Sequence, residues 1–169
     1  MRSRVRVKIC GCTRLDDALA AVRVGADAIG FVFWAGSPRV VDWLAAREIA
    51  RQLPALVTRV GVFVNESPSE VSRIARAVGL DAIQLHGDED AADYAGAGAR
   101  VIRAAPLGTE AAVDQAAAWP VGVMPLVDAR DSDRRGGTGV RADWRLAAML
   151  AKRRDVLLAG GITAATVAP

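Results

Sequence analysis

The sequence predicts an α/β fold, a (β/α)8 TIM barrel, on three observations. Short β-rich runs alternate with longer segments in which Ala, Leu, Val and Ile recur at helical spacing, a pattern typical of βαβ units around a parallel sheet. Polar residues and glycines gather after the β-rich runs. No Pro- or Ser-rich linker divides the 169 residues, of which 52% are hydrophobic. We therefore expect one barrel domain over residues 1–169.

The first strand and helix show how the elements are placed. The run 5–9 is apolar and β-favouring, and the helical pattern 14–24 follows it. Thr13 is the expected N-cap of that helix and Gly25 its stop. The run 27–33 is continuously apolar, as a strand covered on both faces should be.

The same reasoning places the remaining elements in order. The helix 68–78 is the best marked of them, because Ser67 and Pro68 open it and Gly79 closes it. Further strands are expected at 59–64, 81–85, 99–104, 121–128 and 155–160. Further helices are expected at 42–52, 88–97, 109–118 and 143–152, with the opening turn of another from Thr163.

A sequence pattern that occurs twice supports a repeated strand–helix unit. VGADAIGFVF from Val24 and VGLDAIQLHG from Val78 each carry a helix-ending Gly and then Asp-Ala-Ile entering a strand. An open doubly wound sheet would also accept this alternation, but it usually carries G-x-G-x-x-G after its first strand. The first turn here is CGCT, so the barrel is the better prediction.

In a parallel barrel, the C-terminal ends of the strands converge on one mouth. The residues that close or follow the strands are mostly polar residues or glycines, namely Cys10, Gly11, 34–39, Asn65, His86, Gly87, Arg103, Asp128, Gly160 and Gly161. We therefore expect these scattered residues to line a single pocket.

The candidates also have structural interpretations. Cys10 is either a small core residue or a thiol that faces Asp128 across the mouth. Asp128 either begins a turn or acts as a general acid at the dry rim of an apolar strand. Arg39 is either an exposed loop charge or the partner of a substrate carboxylate. For Asn65 and His86, a structural hydrogen bond is the alternative to a substrate contact.

Two glycine-rich segments also point to the mouth. Gly160 and Gly161 precede Ile162 and Thr163, which predicts a turn into a helix N-terminus that would bind a phosphate. The glycines within 136–139 predict a mobile loop, either covering the pocket or without function.

Composition excludes several classes of function. The formal charge is +3, but the basic residues are scattered, which favours an anionic small molecule over nucleic acid as the partner. No signal-peptide pattern or bilayer-length apolar stretch occurs. Two cysteines in one turn fit a reducing compartment better than a disulfide, so we expect a cytoplasmic protein without a membrane partner. With one His, no metal site is expected.

Six segments in chain order carry a family resemblance. They are VKICGCT, GFVFWAGSPRVV, RVGVFVNE, AIQLHGDE, LVDA with GGTG and DW, and LAGGIT. Together they resemble the phosphoribosylanthranilate isomerase family of tryptophan biosynthesis. The resemblance implies an eightfold βα barrel that converts N-(5′-phosphoribosyl)anthranilate to 1-(o-carboxyphenylamino)-1-deoxyribulose 5-phosphate by an Amadori rearrangement without a cofactor.

The resemblance also implies roles for particular residues. Asp128 would be the general acid that protonates the furanose ring oxygen, and Cys10 the general base that takes the proton from C2′. Arg39 would hold the anthranilate carboxylate, and Gly160 and Gly161 would bind the phosphate. On physical grounds a nearby cation, either Lys8, two residues before Cys10 on the same strand, or a cationic Schiff base, would help the thiol to act as a base; a purely structural charge is the alternative for Lys8. A monomer or a homodimer is expected.

The chain departs from the family pattern in three places. It stops at Pro169, one strand and one helix before the family's barrel closes, so we expect a truncated barrel with unpaired edges. Ala142 replaces a larger aromatic residue, and Cys12 occupies a variable position and is expected to be structural. The alternatives are a related isomerase of an aminated ribulose phosphate, such as the histidine-pathway enzyme with its two Asp, and an inactive truncated fragment.

Overall fold

A parallel sheet flanked by helices is the framework of the molecule. The structure, a computed structural model, describes residues 5–128 and 143–167. Its strands are Lys8–Cys10 (β1), Ala28–Val32 (β2), Thr58–Phe63 (β3), Ala82–Leu85 (β4), Arg100–Pro106 (β5), Val123–Asp128 (β6) and Leu157–Leu158 (β7). Its α-helices are Leu15–Arg23 (α1), Trp43–Ala50 (α2), Pro68–Val78 (α3), Glu110–Ala117 (α4) and Trp144–Ala151 (α5). Each strand pairs in parallel with the next, from β1 to β7.

The sheet curls towards a barrel without closing. One buried cluster is formed by inner-face residues of several strands, and Ala28 of β2 and Leu157 of β7 both pack against it. Every residue of this cluster lies on a strand, yet Val60 and Leu126 are only 1% and 2% exposed, so the sheet must curl around its own inner face to exclude water. Within the described residues, β1 pairs only with β2 and β7 only with β6. This open, curled arrangement confirms the predicted truncated barrel.

Alternation along the strands divides the side chains between two cores. On β2, Ile29 and Phe31 are fully buried in the outer core against the helices, whereas Ala28 packs against the inner cluster. On β4, Ile83 lies in the outer core and Ala82 in the inner cluster. Since successive side chains point to opposite faces, this alternation decides which strand-end residues reach the mouth.

The repeated Asp-Ala-Ile pattern in the sequence corresponds to a hydrogen bond that occurs in both units. Asp27, before β2, accepts the backbone N–H of Val7 at 2.8 Å. Asp81, before β4, accepts the backbone N–H of Arg59 at 2.8 Å and also pairs with the Arg59 guanidinium. In both units the Asp thus joins the start of its own strand to the start of the preceding one.

The capping residues of α3 were predicted correctly from the sequence, and the N-cap of α1 was predicted wrongly. The Ser67 side chain accepts the N–H of Glu70, and Gly79 ends α3 in the left-handed conformation with φ of 75°. At α1 the N-cap position is Arg14, which makes no side-chain capping bond, so the prediction for Thr13 was wrong. The helix starts one residue later than the sequence pattern indicated.

One further element differs from the prediction, and another agrees with it. A 3₁₀ segment, Ala91–Ala97, replaces the α-helix expected at 88–97. Glu89 is buried and its carboxylate accepts backbone N–H groups of two loops, which holds residues 88–90 in the loop. At Thr163 the chain makes one turn, in which the N–H of Val167 donates to the Thr163 carbonyl oxygen, as expected for the opening turn of a helix.

Candidate active site

His86 and Asp128 are in contact at the C-terminal end of the sheet, and Cys10 lies at the same end, on β1. Cys10 ends β1 and Asp128 ends β6, and His86 directly follows β4. Leu126 belongs to the inner cluster, so Asp128, two residues further along β6, lies on the same inner face. The same alternation places His86 above Ala82 on the inner side. His86 and Asp128 are thus brought together as expected, whereas a pocket shared with Cys10 stays a prediction.

Gly30 makes the space that the Cys10 thiol occupies. Gly30 is the register partner of Cys10 across β1 and β2. A Cβ atom built on Gly30 would lie 2.9 Å from Cys10 Sγ and 3.3 Å from Lys8 Cε. Lys8 and Cys10 therefore share the inner face of β1, as expected. The sequence analysis did not identify Gly30, because a glycine within an apolar strand gives no sign of what lies opposite it.

Arg39 is anchored to the residue that carries the thiol. Its Nη1 donates to the carbonyl oxygen of Cys10 at 2.6 Å. The side chain crosses Gly11, whose φ is 84° and where a Cβ would lie 2.8 Å from Arg39 Cδ. A guanidinium has five N–H donors, so this single contact leaves donors for a substrate carboxylate. The geometry holds Arg39 beside the mouth.

A line of buried polar side chains leads to Asp128. His86 Nε2 lies 3.2 Å from Asp128 Oδ2, with the two side chains 11% and 15% exposed. On the other side of the ring, His86 Nδ1 lies 3.0 Å from Gln84 Nε2, and Gln84 is only 3% exposed. Gln84 was not among the residues predicted from the sequence, although a lone amide within the strand AIQL was a signal that could have found it.

Asn65 takes part in a network that joins two loops. Its backbone has a positive φ of 52°, and its side-chain Oδ1 accepts the N–H of Asp88 at 2.8 Å. Its own N–H donates to the buried carboxylate of Glu89, which also accepts the N–H of Gly87 at 2.7 Å. These contacts favour the structural interpretation of Asn65, and a contact with substrate stays a prediction.

The glycine pair after β7 adopts a backbone that disfavours other residues. Gly160 and Gly161 have φ of 79° and 64°. The N–H of Thr163 donates to Thr166 Oγ1 at 2.8 Å, which is the bond that the third residue of a helix makes to the N-cap in a capping box. The N–H of Val167 donates to the Thr163 carbonyl oxygen at 2.9 Å. Phosphate binding by Gly160 and Gly161 at this turn stays a prediction.

The second cysteine and Arg103 lie away from the inner face. Cys12 is 6% exposed and packs in the outer core, and burial, followed by the nearby Cys10, raises the pKa of its thiol. Cys10 is only half-buried. Arg103 lies within β5, where its guanidinium stacks 4.8 Å from the Trp119 ring centre. The sequence had predicted that Arg103 closes its strand. That prediction is wrong, because β5 continues to Pro106.

Several features bear on ligands of other kinds. The glycine loop expected at 136–139 and position Ala142 lie outside the described residues. Within 5–128 and 143–167, no group of three or more His, Cys, Asp and Glu side chains is arranged to bind a metal ion. In the same part of the chain, no helix combines the length and apolar character needed to cross a bilayer.

Comparisons with known proteins agree on one family. The family model described as N-(5'phosphoribosyl)anthranilate (PRA) isomerase matches residues 7–169. A curated N-(5'-phosphoribosyl)anthranilate isomerase from Pseudomonas aeruginosa is 49% identical over 161 residues, which are 94% of this chain and 75% of the relative. A crystal structure of the Thermotoga maritima phosphoribosyl anthranilate isomerase is 38% identical, with a TM-score of 0.86, covering 97% of this chain and 80% of that one.

A further solved structure includes a bound ligand. It is a phosphoribosyl anthranilate isomerase in complex with reduced 1-(o-carboxyphenylamino)-1-deoxyribulose 5-phosphate. It is 38% identical to this chain, with a TM-score of 0.79, and the match covers 94% of this chain and 77% of that one.

Proposed function

Since this chain belongs to the N-(5′-phosphoribosyl)anthranilate isomerase family, we propose that it converts N-(5′-phosphoribosyl)anthranilate to 1-(o-carboxyphenylamino)-1-deoxyribulose 5-phosphate in tryptophan biosynthesis. The observation that carries the proposal is that Cys10 and Asp128 end two strands on the inner face of one curled sheet. The reaction requires a proton donor and a proton acceptor, and this rim offers one of each.

Asp128 is the proposed general acid. Its carboxyl group gives a proton to the furanose ring oxygen, the C1′–O bond breaks, and the nitrogen lone pair forms a Schiff base at C1′. Asp128 is then a carboxylate in a largely buried position beside His86 Nε2. A hydrogen-bond donor at that distance stabilises the negative charge as it develops, which lowers the barrier to ring opening.

Cys10 is the proposed general base. The cationic Schiff base acidifies the C2′ hydrogen, and the thiolate takes that proton to leave an enolamine that relaxes to the ketone. Lys8 lies on the same face of β1, and a nearby cation favours the thiolate. Arg39, held on the Cys10 carbonyl, would bind the anthranilate carboxylate by its planar guanidinium.

The remaining predicted contacts complete the substrate site. Gly160 and Gly161 would bind the phosphate through their backbone. His86, which contacts Asp128, would lie beside the ribose. Asn65 would hold the loop after β3. Both chemical steps use protein groups alone, so the proposed reaction needs no cofactor. The cytoplasmic location, the single domain and the choice between monomer and homodimer stay predictions.

The experiment follows the loss of the fluorescence of phosphoribosylanthranilate. It is run on residues 1–169 and on the same chain extended by an eighth βα unit, because the chain spans about three quarters of its curated relatives. Activity in residues 1–169 supports the proposal. If both chains fold and neither has activity, the isomerase proposal is wrong; activity in the extended chain alone supports the alternative that residues 1–169 are an inactive fragment.

The assignment of roles is tested by substitution in the active chain. We expect Cys10→Ser and Asp128→Asn each to lower kcat by about 10²- to 10⁴-fold, with KM changed much less, because both groups act in the transition state. Cys12→Ser is the matched control, since that thiol lies in the outer core. A near-normal kcat in Cys10→Ser would show that the thiol is not the general base and has a structural role.

A further inference from the structure

We propose that Gln84 is a positioning residue that fixes the tautomer of His86 and, through it, the oxygen of Asp128 that carries the acidic proton. The three side chains form one line, with Gln84 Nε2 3.0 Å from His86 Nδ1 and His86 Nε2 3.2 Å from Asp128 Oδ2. The inference rests on the proposed function, because it concerns how the general acid is prepared.

The buried position of Gln84 indicates that its amide has a functional role. It lies on the inner side of β4, between Val62 and Ile102 in the register of the sheet. Its side chain is 3% exposed, and its Oε1 has no hydrogen-bond partner among the described residues. Burying an amide costs free energy unless a hydrogen bond offsets it. Leucine or methionine would fill this inner-core position at lower cost.

The contact between Gln84 and His86 determines where the imidazole proton lies. An amide nitrogen carries two hydrogens and accepts no hydrogen bond. Gln84 Nε2 therefore donates, and His86 Nδ1 accepts as an unprotonated ring nitrogen. A neutral imidazole has its one hydrogen on the other nitrogen. His86 is thus a neutral ring with the hydrogen on Nε2, which faces Asp128.

The opposite orientation of the amide is less favourable. It would place Gln84 Oε1 against His86 Nδ1 and bury the NH₂ group where Oε1 now lies. Both hydrogens of the NH₂ group would then lack a partner among the described residues, whereas at present one of its hydrogens and Oε1 lack one. Orphaned N–H groups are rarer in proteins than under-satisfied oxygens. The arrangement with the amide nitrogen at Nδ1 is therefore the one that the local hydrogen-bond balance supports.

The tautomer has a consequence for the chemistry at Asp128. With its hydrogen on Nε2, His86 donates to Asp128 Oδ2, so the acidic proton of a protonated Asp128 is confined to Oδ1. His86 does not withdraw that proton, because Nδ1 is occupied by Gln84 and Nε2 already carries a hydrogen. When Asp128 has given its proton to the substrate, the same Nε2–H stabilises the carboxylate.

Nitrogen NMR reads the tautomer directly. The chain has one His, so labelling with ¹⁵N-histidine gives the two ring nitrogens of His86 and no others. In the unaltered chain we expect a protonated Nε2 and an unprotonated Nδ1. The reverse pattern, or a doubly protonated ring at about neutral pH, would overturn the proposal without any variant being made.

Two variants and a control test the causal role of Gln84. Gln84→Glu presents a carboxylate to Nδ1, so we expect the hydrogen to move to Nδ1. Gln84→Met keeps the volume without a donor, and we expect a mixture of tautomers. Gln52→Met is the control, because that exposed glutamine bonds to its own helix. If the ring pattern of Gln84→Glu matches that of the unaltered chain, Gln84 does not set the tautomer.

Kinetics separates this proposal from the proposed function. In the active chain we expect Gln84→Met to lower kcat by about tenfold or more with little change in KM, as supporting groups behind a catalytic residue usually do. A lost kcat with an unchanged tautomer would overturn the proposal. Absence of activity in every form of the chain would contradict the isomerase function, whereas the NMR result on His86 would still decide what Gln84 does.

Discussion

Gly30→Ala tests whether the sheet makes a specific space for the Cys10 thiol. The new Cβ would lie 2.9 Å from Cys10 Sγ and 3.2 Å from Cys10 Cα. An unstrained contact between such atoms needs about 3.7 Å, so the sulfur would have to move by about 0.8 Å. The Cys10 backbone cannot yield, since it is hydrogen-bonded within the sheet and its carbonyl holds Arg39.

The size of this displacement sets the expected effect. A misplacement of about 1 Å in a reacting group costs about 10²-fold in rate, so we expect kcat to fall by about 30- to 100-fold. Overpacking costs about 1–3 kcal/mol of stability, which leaves the fold intact. The affinity for substrate should change less than kcat, because the methyl group faces the thiol and Lys8 rather than Arg39.

The assay compares kcat, the rate of Cys10 alkylation and the thermal midpoint of the variant with those of the unaltered chain. Gly122→Ala is the matched control, because a Cβ there meets nothing within 4 Å and Gly122 is not among the glycines with positive φ. A kcat within about twofold of the unaltered value, together with unchanged alkylation of Cys10, would refute the reasoning.

Two further predictions concern the thiols and the base of the barrel. Burial raises the pKa of Cys12, so at about pH 8 iodoacetamide should modify the half-exposed Cys10 first, and Cys12 should react only at higher pH as its thiolate forms; equal rates in peptide mass spectrometry would contradict this. Arg154 donates to carbonyl oxygens of Ala116, Ala117, Trp119, Pro120 and Val123, so Arg154→Met should lower the free energy of unfolding by about 3 kcal/mol. The urea-unfolding control is Arg153→Met, whose surface ion pair with Asp114 should contribute less than about 1 kcal/mol, and similar losses in both would contradict the role of Arg154.

Signals that act within a few residues were readable from the sequence. Ser67 and Gly79 bound α3 as predicted, because capping depends on the backbone of one helix turn. The repeated Asp-Ala-Ile pattern was also visible in the sequence. In the structure, Asp27 and Asp81 each accept a backbone N–H group of the preceding strand or of the residue just before it. Thr13 was misjudged because the exact start of a helix depends on how the preceding loop packs.

Contacts between distant segments were not readable in the same way. Glu89 holds residues 88–90 in the loop by accepting N–H groups of two loops, and nothing in its local sequence indicates that burial. Gly30 is an ordinary residue of an apolar strand until β1 is placed beside β2, where a Cβ atom on it would lie 2.9 Å from Cys10 Sγ. Gln84 contacts His86 within one stretch of chain, but the link from His86 to Asp128, 3.2 Å long, forms only when β4 and β6 are brought together.

The sequence by itself determined the order of strands and helices, the parallel sheet, and the strand-end positions of Cys10, His86 and Asp128, because periodicity and turn chemistry are properties of short segments. Only the tertiary structure decided that Cys10 shares its space with Gly30 and that Gln84, His86 and Asp128 stand in line. The physical reason is the curl of the sheet, which brings side chains separated by many residues within hydrogen-bond distance on one inner face.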